Sequence, residues 1–147
     1  MRKFLGTYMH KMDTKGRVSL PSKYRSILAD QDLVIVPGDH NSLWVYTEEE
    51  YDKFTEDLSP SLLEDDELSQ LRYSFLAGAE YADLDASGRI RVSARFREHA
   101  GLGKDVTIVG SRDLFELWDS EAYEKFVANI NRNEARKAMK SQKDQSR

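Results

Sequence analysis

The chain has 147 residues, 39% hydrophobic and 33% charged, with 22 Lys and Arg against 26 Asp and Glu and a formal net charge of −4. That composition supports a packed core of one ordinary domain or two small ones and excludes a wholly disordered chain. The absence of cysteine excludes disulfide frameworks, thiolate zinc sites and cysteine nucleophiles.

Taken in chain order, Arg2 and Lys3 precede only Phe4-Leu5 before polarity returns, so no signal peptide is expected. Thr7 to Met12 alternates as a short strand and runs into Asp13-Thr14-Lys15-Gly16, a tight-turn signal in which Asp caps and Gly supplies positive φ. A second strand, Arg17 to Leu20, leads to a short helix opened by Pro21-Ser22. The apolar run Leu33 to Val36 reads as a buried strand, far too short to span a membrane, and Leu43 to Tyr46 as its neighbour. A helix begins at Thr47 with acids in its first turn, as the helix dipole favours. From Leu58 to Ala79 the chain is acidic and then helix-like, with Leu63, Leu68, Leu71 and Phe75 spaced for one apolar face.

The same series then recurs. Strand Glu80 to Leu84 enters Asp85-Ala86-Ser87-Gly88, strand Arg89 to Val92 follows, and Ser93 opens a helix. Strands Val106 to Val109 and Leu114 to Trp118 precede a helix from Asp119-Ser120. Past Ile130 the chain is polar and basic through Arg132, Arg136, Lys137, Lys140, Lys143 and Arg147, and reads as helix fraying into a disordered tail.

Residues 13–25 lie over 85–97 at an offset of 72, with four identities (Asp, Gly, Arg, Arg) and four conservative matches. A one-residue slip aligns Asp32-Leu33-Val34-Ile35-Val36 with Asp105-Val106-Thr107-Ile108-Val109, and the offset of 72 returns at Tyr51 and Tyr123. Three ordered blocks indicate a tandem duplication. The division expected is 4–57 as a first unit and main reader, 58–75 as a helical connector, 76–128 as a second unit and 129–147 as the basic tail. Each unit exposes more sheet edge than it can bury alone, so the two are expected to close on each other. The expected class is therefore strand-dominated α+β, two units closed into one pseudo-symmetric, barrel-like module with peripheral helices. Trp44, Tyr51, Phe54, Phe115 and Trp118 read as core.

Charge is segregated along the chain. Residues 1–25 hold seven cations against Asp13, and residues 47–67 hold ten acids against Lys53. Local fields of opposite sign steer partners whatever the net charge. Catalytic sets are not apparent: His10, His40 and His99 lack metal-ligand spacing, Asp85 of the Asp83/Asp85 pair is accounted for by the turn, and no serine elbow, Walker loop or dinucleotide fingerprint occurs. No enzyme activity, cofactor, metal or small-molecule substrate is expected. The repeated Asp-x-x-Gly-Arg turn leaves two roles open to Arg17 and Arg89: local partners of the turn aspartate, or guanidinium groups held out to phosphates and guanine edges. Lys15 at the first turn tip, with basic helices close by in sequence (Lys23-Tyr24-Arg25 and Arg95-Phe96-Arg97), favours the second.

On these residues the chain resembles the MraZ family of bacterial transcriptional regulators. The paired hairpins Asp13-Thr14-Lys15-Gly16-Arg17 and Asp85-Ala86-Ser87-Gly88-Arg89 carry the resemblance, with Arg97-Glu98-His99-Ala100-Gly101-Leu102 and Phe115-Glu116-Leu117-Trp118-Asp119. It extends over about residues 4 to 126. The resemblance implies two swapped-hairpin units of the AbrB type, a ring-like homo-oligomer, and binding of double-stranded DNA at short direct repeats in the promoter of the division and cell-wall gene cluster. It also implies a cytoplasmic, nucleoid-associated protein. The expected DNA-binding residues are Arg17 above all, with Lys15, Asp13, Lys3 and Lys11, and Arg89 in the second copy; Gly16, Gly88 and Asp85 shape the turns. An antitoxin-like module of the same fold, with a protein toxin as partner, is the competing reading.

Overall fold

The protein is described here by a computed structural model covering residues 3–28, 30–58 and 66–145. Its strands are β1 (Thr7–Lys11), β2 (Arg17–Ser19), β3 (Leu33–Pro37), β4 (Leu43–Thr47), β5 (Glu80–Ala82), β6 (Arg89–Arg91), β7 (Asp105–Gly110) and β8 (Leu114–Asp119). Its helices are α1 (Ser22–Leu28), α2 (Glu48–Thr55), α3 (Asp66–Arg72), α4 (Ala94–Ala100), α5 (Ser120–Ala128) and α6 (Arg132–Gln145), with a π-helical turn, Tyr73–Ala77, after α3. α2 and α5 start where a side chain caps them: Thr47 accepts from the Glu50 amide and Asp119 from the Ala122 amide. Ser93 precedes α4 but does not cap it; its hydroxyl donates to Glu80 instead.

Six strands form one antiparallel sheet in the order β1-β7-β8-β4-β3-β5, and β2 and β6 form a separate ribbon. The halves exchange strands. β1 pairs with β7 of the second half, and β5 pairs with β3 of the first. Two registers reveal an internal two-fold axis, because each pairs a residue with the position 72 further along: Val18 with Ile90 in the ribbon and Trp44 with Glu116 in the sheet. The closed barrel expected from the sequence is not formed. The sheet ends at β1 and β5, and among the described residues the backbone bridges from the ribbon to those edges are Met12–Val18 and Leu84–Ile90, with His10 of β1 also hydrogen-bonded to the Ser19 carbonyl. Each ribbon strand has three residues, all paired with its mate.

Alternation sorts the side chains onto two faces. Toward the ribbon, Leu33, Ile35, Leu43, Val45, Val106, Ile108, Phe115 and Leu117 pack with Val18, Leu20, Ile90 and Val92, and α1 and α4 add Tyr24, Leu28 and Phe96. Full burial of each such side chain contributes roughly 1.5–3 kcal/mol, so this layer outweighs any surface ion pair. On the opposite face Val34, Val36 and Tyr46 pack with Trp44, Tyr51 and Phe75. There Trp44 stacks on Phe75 at 5.7 Å between ring centroids, and Trp118 meets Phe126 at 4.9 Å. Phe115 is thus core, while Trp44, Tyr51, Phe54 and Trp118 form the aromatic layer under α2 and α5.

Two further expectations meet the coordinates here. Leu68 and Leu71 are exposed on α3 rather than buried in an apolar face, whereas Phe75 packs; Leu63 lies outside the described residues. The tail expected to be disordered is helical from Arg132 to Gln145, capped by the Asn131 side chain accepting from the Glu134 amide. Its Ala, Arg, Lys, Met and Gln content explains the local preference. Arg147 lies outside the described residues.

The turns bind the halves together. The carbonyl of Gly16 (φ +80°) accepts from the Val92 amide at 2.8 Å, and that of Gly88 (φ +77°) accepts from the Leu20 amide at 2.9 Å. A Cβ at Gly16 stands 2.7 Å from the Val92 carbonyl oxygen and against the Arg97 guanidinium, whereas one at Gly101 (φ +59°) meets nothing within 4 Å. Left-handed backbone costs a non-glycine residue roughly 1–2 kcal/mol. Gly101→Ala is therefore expected to cost about that much in urea denaturation, and Gly16→Ala distinctly more because of the added backbone clash.

Candidate nucleic-acid interface

Each hairpin turn is organised by one carboxylate. Asp13 Oδ1 accepts from the amides of Lys15 (3.0 Å) and Arg17 (2.9 Å), and its Oδ2 accepts from Arg17 Nε at 2.7 Å. Asp85 repeats the set with the Ser87 amide (2.9 Å), the Arg89 amide (2.9 Å) and Arg89 Nε (3.1 Å). These bonds, the Arg17 and Arg89 amides foremost, hold both carboxyls below their ordinary pKa. Both roles left open for the arginines are thus compatible: Nε pairs with the turn aspartate while the side chains stay about one-third exposed, 33% for Arg17 and 32% for Arg89.

The ribbon brings the two turns side by side. Val18 and Ile90 point inward and are fully buried, which leaves Arg17, Ser19, Arg89 and Arg91 on the other side of the ribbon. Arg17 lies directly across from Arg91, and Arg89 Nη1 comes within 3.8 Å of Asp13 Oδ2 in the neighbouring hairpin. Lys15 stands exposed at the first turn tip. Asp13, Lys15, Arg17 and Arg89 therefore form one cluster, with Gly16, Gly88 and Asp85 shaping its turns.

Lys11 and Lys3 fare differently. Lys11 borders the first hairpin and is paired with Asp105 of the second half at 2.9 Å, both side chains more than half exposed. Lys3 sits beyond the other end of β1, paired with Asp113 at 2.9 Å. The structure does not bring Lys3 to the turn cluster; proximity in sequence is undone by the extended path of β1.

Arg25 and Arg97 have a role that a reading of basic helices does not disclose. Arg25 packs over Gly88 and donates from Nε to the Leu20 carbonyl, and Arg97 packs over Gly16. Each turn is thus clamped by the arginine of the opposite half. Their matched positions in the repeat are the one sequence signal for this.

The family model described as "MraZ protein, putative antitoxin-like" matches the chain twice, over residues 3–73 and 75–145. Three similar proteins are named "Transcriptional regulator MraZ". That of Rhodococcus opacus (strain B4) is 40% identical over 124 residues, 84% of this chain and 86% of the relative. That of Corynebacterium urealyticum is 38% identical over 125 residues (85% and 87%), and that of Mycolicibacterium smegmatis 39% over 123 residues (84% and 85%).

The turn carboxylates make stability pH-dependent. Their folded pKa values lie below the ordinary 3.8, so their stabilisation is present above that value and is lost as pH falls through the lowered one. In thermal melts from about pH 6 down to about pH 3, the paired substitution Asp13→Asn and Asp85→Asn is expected to flatten the acid limb relative to the unaltered chain.

Proposed function

Because the chain belongs to the MraZ family, we propose that it is a DNA-binding transcriptional regulator whose β2–β6 ribbon reads the duplex. The observation that carries this reading is the placement of Arg17 opposite Arg91, with Arg89 alongside. Like charges directly across a strand pair are destabilising. A phosphate or guanine edge set between them removes the repulsion and supplies the acceptors the guanidinium groups need. The turn aspartates fix Arg17 and Arg89 before any ligand arrives, so little side-chain freedom is lost on binding.

The first hairpin is the stronger reader. Its tip carries Lys15 where the second carries Ser87, and Lys11 stands where the second has Asp83. Asp13 acts by orienting Arg17, and Lys3, remote from the cluster, adds only to the general positive field. The target proposed is a set of short direct repeats in the promoter of the division and cell-wall gene cluster, bound by a ring-like homo-oligomer in the cytoplasm at the nucleoid. A single small basic patch binds DNA non-specifically with dissociation constants of only about 10⁻⁴ to 10⁻⁶ M. Repeating the reader around one particle adds roughly 10² to 10⁴ when the sites are spaced to match. That gain suits a protein whose net charge is −4.

The antitoxin-like wording of the family description supports a second reading, with a protein toxin as main partner. Stoichiometric co-purification of a small second protein, with no promoter binding, would establish it in place of the first.

A mobility-shift assay on the promoter repeats tests the proposal. Loss of one bidentate contact is worth about 1–3 kcal/mol, so Arg17→Ala is expected to weaken binding roughly 10- to 100-fold, and Arg89→Ala distinctly less. Equal losses would count against a dominant first hairpin. Affinity is also expected to fall steeply with salt, with the slope reduced by about one in Lys15→Ala; a flat titration would exclude phosphate contact.

A further inference from the structure

We propose that α6 docks on the acidic α2 surface of a second copy of this chain, a contact that rests on the oligomeric reading above and specifies its surfaces. Every residue from Val127 to Gln145 is exposed. A helix of 14 residues is marginal from local preference alone and needs a packed face to persist. α6 has such a face to offer. Arg132, Arg136, Lys140 and Lys143 recur at spacings of four, four and three, which puts them on one stripe. Met139 adjoins the stripe on α6 and is 55% exposed, and Val127 at the end of α5 and Ile130 in the link to α6 are 42% and 53% exposed.

The complementary surface lies on the first half. Glu49, Asp52 and Glu56, at spacings of three and four, line the outer side of α2 and the turn that prolongs it, all exposed. The ion pairs of Glu49 and Glu50 with Lys53 (3.6 and 3.5 Å) are loose surface contacts that a neighbour's arginines can replace.

Nucleic acid fits α6 less well. α5 packs on β7 and β8 through the Trp118 aromatic layer, on the face of the sheet turned away from the ribbon, so α6 starts on the side opposite the proposed reader. A phosphate backbone would also leave Val127, Ile130 and Met139 with nothing to pack against, whereas a protein surface buries them. α2 and α5 are two-fold mates within the chain, so a helix leaving α5 of one copy for α2 of the next makes a head-to-tail contact. Contacts of that kind propagate and close into rings when the rotation permits.

Sedimentation velocity of the full chain tests this with two charge-reversed variants. One carries Arg136→Glu, Lys140→Glu and Lys143→Glu; the other carries Glu49→Lys, Asp52→Lys and Glu56→Lys, each checked for native circular dichroism and melting. The expected result is that either variant alone sediments as a much smaller species than the unaltered chain, and that mixing the two restores association. Unchanged mass in the α6 variant, or loss of mass without rescue on mixing, would overturn the docking while leaving the oligomer itself intact. An unaltered chain that sediments as a monomer at micromolar concentration would overturn the oligomeric reading and this contact with it. If the α6 variant keeps its mass but loses binding to a duplex carrying one repeat, α6 belongs to the nucleic acid and the proposal fails.

Discussion

The exchange of β1 and β5 between the halves governs everything built on this sheet. The β3–β4 pair obtains its outer strand from the second half, and β7–β8 obtains its own from the first. The same exchange lays Val18 against Ile90, so the two turns arrive side by side without any loop having to aim them. Arg25 over Gly88 and Arg97 over Gly16 then tie each turn to the opposite half. The spacing between Arg17, Arg89 and Arg91 is a property of hydrogen-bonded backbone, which is far stiffer than the side chains it carries.

Much of this was legible in the sequence because duplication turns a pattern into geometry. The offset of 72 read from residues 13–25 and 85–97 is the same offset that relates Val18 to Ile90 and Trp44 to Glu116 across the axis. The turn chemistry was equally plain, since an Asp two residues before a backbone amide and a Gly at positive φ have few other uses. Closure was not legible: whether a three-residue ribbon strand carries full ladders or single bridges depends on sheet twist, which no local pattern encodes. Nor was the extent of α6, which runs to Gln145 with every residue exposed. The resemblance places Lys3 with the first hairpin, while β1 separates it from the turn and it pairs with Asp113.

The two copies differ where the repeat has been put to separate uses. On the aromatic layer, Phe75 of the π-helical turn stacks on Trp44 and meets Phe54 edge-on in the first half. In the second half His40, held at positive φ in the turn before β4, stacks on Trp118 and meets Phe126 at a tilt instead. One half is therefore sealed by the segment that follows it, and the other by a side chain lent from its mate.

Strand exchange also sets the order of events as the polypeptide leaves the ribosome. Thr7 is made 102 residues before its ladder partner Val109, so β1 waits for that length of chain to be synthesised. At translation rates of roughly 5–20 residues per second that is about 5–20 s with an unpaired edge. Contacts of such long sequence separation also fold slowly once available. Newly made copies of this chain thus pass through an interval in which β1 is open to strands of other nascent chains, and early encounter between siblings on one messenger is a natural hazard of the design.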